Sequence, residues 1–343
     1  MIFDTDAKTA ERDLGKFLSL TRDRLERFEK ADPGKPQFPG GVNESQLVLH
    51  PGERPFRLLK KETSPNGVLF AHIAPSSGAA PVFRAGQQAR VRVRGVTRPV
   101  FFASAPGEPP CLGVCVDGQL EAFAFLDALS AGDELTLNAP VGNFYILPPR
   151  DGADILLLSD RTGLPAVRSI SRAFPPGSPT NLRVFCAGCV PEPFFDSRFT
   201  AVPDAGSLPE RSGNERVFVC GSDAFSEAAR ERYSPVFVRS AVTDDPKRDR
   251  TELFTCTVFS PEGETAVPCS AGETLLSSLE RAGVRIRSNC VDGTCGFCRC
   301  RLVSGGVSFR DPEDRDPRRR ADIREGIIHP CRVFPDSDIV IEL

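Results

Sequence analysis

Three cysteines crowded into one short loop limit what this chain can fold into more than any other feature. Residues 288–298 read SNCVDGTCGFC, so Cys290, Cys295 and Cys298 form a C-x4-C-x2-C pattern, with Cys331 far downstream. Four thiolates at that spacing hold two irons, the [2Fe–2S] arrangement. A loop that lays three sulfurs round one compact centre must bend sharply. Gly293 and Gly296 supply the backbone freedom, and without Cβ atoms they let peptide N–H groups approach the sulfurs. Zinc competes for any set of four cysteines, but structural zinc sites usually present two short Cys-x2-4-Cys knuckles, and Cys331 stands alone.

Composition narrows the setting. At 343 residues and 37.2 kDa the chain has room for two or three domains, each with its own core. A net charge of -3 with no basic, aromatic-interleaved stripe argues against a nucleic-acid partner. No apolar run approaches the roughly 20 residues of a membrane span. The start, MIFDTDAK, lacks the layout of a secretory signal, so the expected location is the cytoplasm, where thiols stay reduced. Twelve cysteines there point to metal or redox use rather than staples. Cys186 and Cys189 form a C-x2-C that reads as a redox pair or half a metal site, with Cys111 and Cys115 as potential neighbours. Buried small hydrophobes are the commoner fate of such cysteines.

Taken in order, residues 7–30 carry Leu14, Phe17, Leu18, Leu25 and Phe28 as an apolar stripe on a charged helix, and 31–41 (ADPGKPQFPGG) breaks it as a linker. From 51 to 148 short β-like runs alternate with turns, interrupted by one helix over 121–129, which predicts an antiparallel barrel. Residues 150–245 change character. The runs 155–158, 182–185 and 217–219 are of the buried-strand type, separated by helical segments, which predicts a parallel α/β sheet. The polar stretch 243–250 reads as a linker. Beyond it come a strand over 254–259 (FTCTVF), a turn over 260–263 and a returning strand over 264–268. A short helix with Leu275, Leu276 and Leu279 on one face follows, then the cysteine loop, a strand over 299–303, and a last strand over 339–341.

Residues 251–343 resemble the ferredoxin β-grasp fold. The whole order, over about 50–343, resembles the phthalate dioxygenase reductase-like branch of the ferredoxin–NADP+ reductase superfamily. Several segments carry that likeness: 81–87 (PVFRAGQ) is similar to P-F-x-x-G-Q-Y, 98–106 (RPVFFASAP) to R-x-Y-S-x-x-S-x-P, and 139–144 (APVGNF) to G-P-x-G-x-F. Residues 162–165 (TGLP) partly match the end of G-G-T/S-G-I-x-P, and 219–221 (VCG) match a C-G strand end. The resemblance implies four segments: 1–48 an N-terminal helix and linker, 49–149 an FAD-binding-like β-barrel, 150–245 an NAD(P)-binding-like α/β domain, and 251–343 a [2Fe–2S] ferredoxin-type domain. It implies cluster ligands Cys290, Cys295, Cys298 and Cys331. For the coenzymes it implies Arg98, Pro99, Ser104 and Gly142 beside FAD or FMN, and Thr162, Gly163, Cys220 and Gly221 towards NAD(P)H. In that family NAD(P)H gives a hydride to flavin, and single electrons reach the cluster.

The chain departs from this pattern where coenzymes would bind. Val100 stands where the family's tyrosine stacks on the flavin ring, and Phe101 replaces the hydroxyl residue after it. Glu121 replaces a serine at the start of the barrel helix, where a carboxylate satisfies the helix dipole and repels phosphate. Asp160 and Arg161 replace a glycine pair, although Arg161 reaches towards a phosphate as Arg98 does. Cys186–Cys189 stands where the family usually has Y-G-x-R. Together these changes predict weak or absent flavin binding.

Two readings follow. In one, an NAD(P)H-dependent flavin and iron–sulfur oxidoreductase passes single electrons through its cluster to a redox protein. In the other, a carrier or interaction subunit keeps the reductase-like domains as a scaffold. His329 reads as a solvated or structural residue near Cys331, and 315–324 as an arginine-rich, aspartate-laced solvated face or docking surface.

Overall fold

The computed structural model describes residues 53–343, apart from 94, 119, 143, 148, 150–151, 234–235, 241–247, 250, 289–290, 292, 294–295, 311–315 and 317. The helical stripe over 7–30 and the linker over 31–41 lie outside the described residues. So do Cys290, Cys295 and Arg315. From Gly52 onward the chain forms one unit.

Six strands close an antiparallel barrel: β1 (Arg54–Thr63), β2 (Val68–Pro75), β3 (Gln88–Val93), β4 (Val96–Phe102), β5 (Cys111–Cys115) and β6 (Glu134–Val141), in the order β1-β2-β5-β4-β3-β6. Successive side chains of a strand face opposite ways. In β4 that alternation sends Val100 and Phe102 into the barrel core with Phe56, Leu69 and Leu112. Phe101 goes outward, into a second core. Helix α1 (Leu120–Ala128) buries Ala122 and Leu126, one turn apart, on the barrel core.

The second module is a parallel sheet of β7 (Ile155–Asp160), β8 (Leu182–Ala187), β9 (Phe199–Val202), β10 (Arg216–Gly221) and β11 (Val236–Ser240), in the order β11-β10-β7-β8-β9. Strand β7 is apolar from Ile155 to Leu158 and fully buried there, as expected for a strand covered on both faces. Helix α2 (Leu164–Ala173), with Pro165 in its first turn, follows β7, and α3 (Asp223–Arg232) follows β10. One apolar core joins barrel to sheet: Phe70, Phe101, Ala103, Cys111 and Phe144 pack with Leu157, Leu164, Val167 and Cys220.

The C-terminal module comprises β12 (Leu253–Ser260), β13 (Gly263–Ser270), α4 (Leu275–Arg281), β14 (Cys300–Ser304), β15 (Val307–Phe309), α5 (Arg320–Arg324), β16 (Ile327–Ile328), β17 (Val333–Pro335) and β18 (Ile339–Glu342). Its main sheet has the order β13-β12-β18-β14-β16, with β12 and β18 parallel. This is the architecture expected from the sequence, with additions. No element is expected from sequence between Cys331 and the last strand, yet β17 pairs there with β15 as a two-stranded ribbon. Three-residue strands are too short to show a period.

Helix α4 docks the C-terminal module on the barrel. Arg90 of β3 donates to Glu280 Oε1 at 2.6 Å and to the Ser288 carbonyl at 2.8 Å, and Glu280 Oε2 accepts from the Thr97 N–H at 2.9 Å. The Arg90 and Glu280 side chains are 7% and 11% exposed, so the pair is shielded from water. Removing one partner of a buried pair strands the other's charge. Glu280→Ala should therefore destabilise the fold by about 3–5 kcal/mol, read as a lowered midpoint in denaturant melts. A change within error would mean that the contact is energetically idle.

Candidate iron–sulfur site and the coenzyme clefts

The cysteine loop leaves α4 and returns at β14. Its backbone turns left-handed at Val291 (φ 58°), Gly293 (φ 80°) and Gly296 (φ 66°). A β-branched residue at positive φ is strained, so the loop is held there by its surroundings. Cys298, from the loop's end, and Cys331, from a 3-10 turn over Pro330–Arg332, meet with their sulfurs 3.3 Å apart. That is far longer than a disulfide at about 2.05 Å. It is short enough for both sulfurs to reach one metal atom through bonds of about 2.3 Å. Both thiols are buried, and Leu276, Ile286 and Val291 pack round them. A soft, water-shielded sulfur pair in a strained glycine-bent loop fits an iron–sulfur centre. His329 is buried rather than solvated, and its ring lies against Gly296: a Cβ there would stand 3.6 Å from His329 Nε2.

The comparisons agree with this geometry. The family described as a 2Fe-2S iron-sulfur cluster binding domain matches residues 259–336. A plant-type ferredoxin of Pseudomonas putida is 37% identical over 87 residues, covering 25% of this chain and 76% of that protein. By this module the chain belongs to the plant-type [2Fe–2S] ferredoxins. The likeness extends beyond it. The ferredoxin reductase component of a 3-ketosteroid-9-alpha-monooxygenase from Mycobacterium tuberculosis is 26% identical over 292 residues, 73% of this chain and 80% of that one. The solved structure of phthalate dioxygenase reductase covers 85% of this chain and 98% of its own, with TM-score 0.66 and 20% identity. The fold is thus that of the phthalate dioxygenase reductase-like branch, and the chain is a [2Fe–2S] electron-transfer oxidoreductase.

The ferredoxin module is built on one short helix with three duties. Leu275 and Leu279 of α4 fill the β-sheet core, Leu276 backs Cys298 and Cys331, and Ser277 and Glu280 face the barrel. Sequence reading grouped the three leucines on one face. The structure divides them because α4 is sandwiched between the sheet and the cysteine loop. Arg90, Ser277 and Glu280 were not among the residues singled out from sequence, because their contacts span more than 170 residues and leave no local signal.

At the flavin-matched positions, Arg98 is buried and committed. Its Nε and Nη2 donate to Glu121 Oε2 at 3.1 and 2.5 Å, and its Nη1 donates to Ser277 Oγ of the ferredoxin module at 2.8 Å. Pro99 lies in β4 opposite Arg90 of β3. The Ser104 hydroxyl accepts from the Cys111 N–H at 3.1 Å. Gly142, at φ 90°, offers its carbonyl to Gln87 Nε2 at 3.1 Å. Val100 and Phe101 are buried in two different cores. The chain's own groups thus occupy these positions, and they do not fit a flavin.

The nicotinamide-matched positions are packed as tightly. A Cβ on Gly163 would come within 1.9 Å of the Cys220 carbonyl oxygen, and one on Gly221 within 2.8 Å of the Phe225 ring. Asp160 accepts from the Thr162 N–H and hydroxyl at 2.9 and 2.6 Å, and from the Ser222 N–H and hydroxyl at 3.0 and 2.6 Å. Arg161 does not reach inward. It pairs with Asp117 at 2.7 Å, with both side chains about half exposed. At the carboxyl ends of β7 and β10 the chain's own amides and hydroxyls are thus bonded to Asp160.

The remaining cysteines behave as core residues. Cys111, Cys115, Cys186, Cys189 and Cys220 all lie in the core between barrel and sheet, and among the described residues no group of three or more metal-binding side chains forms. Cys189 beside it and burial together push the Cys186 thiol well up. Burial raises Cys111 and Cys115 to about 11. In the arginine-rich run, Arg318 is bound to Asp316 at 2.6 Å and stacks 4.0 Å over Phe309.

Two expectations follow. Cys298→Ser or Cys331→Ser should cost most of the bound iron and acid-labile sulfide, measured colorimetrically per chain. At pH 8 a thiol of pKa about 11 is only about one part in a thousand thiolate, so Cys111 and Cys115 should resist iodoacetamide in native protein and react after unfolding, as peptide mass mapping would show.

Proposed function

We propose that this chain relays single electrons through a [2Fe–2S] cluster held by Cys290, Cys295, Cys298 and Cys331, and exchanges them with an oxygenase-type redox protein. The observation that carries the ligand assignment is the buried approach of Cys298 and Cys331 beside a loop of the family's spacing. The partner class is supported by the monooxygenase component among its relatives. A bound cluster supplies one-electron redox chemistry, at a potential set by its thiolates, hydrogen bonds and burial.

The residues of this chain do the rest. Leu276, Ile286 and Val291 keep water from the two described sulfurs, and Arg90 fixes the Ser288 carbonyl at the entrance of the cysteine loop. Phe297 stands at the surface, 39% exposed, next to buried Cys298, and so marks the side from which a partner approaches. A cytoplasmic location is supported by the buried thiols of Cys111, Cys115, Cys186 and Cys189, since thiols stay reduced there. The segments 49–149, 150–245 and 251–343 are taken as the folding units. No helix among the described residues is long and apolar enough to cross a membrane.

Protein prepared without oxygen should carry two irons and two sulfides per chain, and dithionite should bleach its visible absorption reversibly. Absence of iron and sulfide, or absorption that dithionite leaves unchanged, would end this assignment.

A further inference from the structure

We infer that both coenzyme clefts have been converted into internal clamps, so that this chain takes its electrons from another reduced protein rather than from NAD(P)H through its own flavin. The inference rests on the proposed cluster and concerns only how electrons reach it.

The first clamp is built on Arg98. In the family this chain resembles, that arginine faces the flavin phosphate; here it is buried, with Glu121 against one edge and Ser277 against the other. Glu121 stands in the first turn of α1, where the helix dipole would otherwise favour an anion. An incoming phosphate would have to displace a carboxylate from a shielded guanidinium and then sit beside it as a like charge. The barrel also meets the parallel-sheet module closely at two points. A Cβ on Gly118 would lie 3.3 Å from Thr162 Cβ, and one on Gly113 would lie 2.6 Å from Pro165 Cβ. The loop before α1 therefore rests on the turn after β7, and β5 lies against the start of α2.

The second clamp is Asp160. Ligands of open parallel sheets bind beyond the carboxyl ends of strands where the strand order reverses, which here is between β7 and β10. Asp160 ends β7 and Ser222 follows β10. The Asp160 carboxylate takes both backbone N–H donors at that point, from Thr162 and Ser222, and both hydroxyls. An anion of the chain itself thus fills the place that a pyrophosphate needs.

What the first clamp provides instead is attachment. Arg98 to Ser277, Arg90 to Glu280 and Arg90 to Ser288 join the barrel to α4 and the cysteine loop, so groups of the former coenzyme site now hold the cluster module. In each transfer one electron enters from a reduced donor protein, which is oxidised by one electron. One electron leaves to the acceptor, and no hydride is split on this chain.

The test uses the iron-loaded full chain under anaerobic conditions. Mixed with excess FMN or FAD and passed through gel filtration, it should retain well under a tenth of an equivalent of flavin. NADH and NADPH should leave its visible spectrum unchanged, with or without added flavin, while dithionite bleaches it. About one flavin per chain after gel filtration, or bleaching by NAD(P)H, overturns the inference and leaves the cluster assignment standing; failure with dithionite strikes the cluster assignment instead. Arg98→Ala separates clamp from coenzyme ligand. Loss of the clamp should lower the temperature at which cluster absorption disappears by several degrees, with flavin retention unchanged. No shift in that temperature refutes the clamp.

Discussion

The guanidinium of Arg90, wedged between Glu280 and the Ser288 carbonyl, ties the iron-binding end of the molecule to the barrel. A buried cation with a single carboxylate partner is a poor source of stability compared with a packed apolar pair. Its value lies in direction. The guanidinium fork fixes both the helix that supports the two sulfurs and the strand of chain that enters the cysteine loop. Arg98 repeats the device one strand away, with Ser277 in place of the second acceptor.

Helix α4 concentrates these demands. Seven residues fill a core, back a sulfur pair and dock a module, so few positions are free to vary without consequence. Within the cysteine loop, Val291 is held at a positive φ by the packing round Cys298 and Cys331.

Much of the fold was legible from residue patterns alone. The unbroken apolar run of β7 marks a strand covered on both faces, and the cysteine spacing marks an iron site without any neighbour being known. The short ribbon of β15 and β17 was not legible, because three residues carry no period. The coenzyme clefts were partly legible: Val100, Phe101, Glu121 and Asp160 are visible as foreign to their motifs. Their new partners are not. Nothing near Arg98 in sequence points to Ser277, and nothing near Asp160 points to Ser222.

The sequence by itself determined the cysteine spacing from which a [2Fe–2S] centre is expected, since ligand number and loop length are properties of the chain. It also determined the barrel and the parallel sheet through its runs of apolar residues, and the β-grasp end through its likeness to the ferredoxins. Only the tertiary structure decided where the displaced charges went. Burial makes an unpaired charge too costly to leave, so Arg90, Arg98 and Asp160 each had to find partners, and those partners are brought within reach only by the closing of the fold.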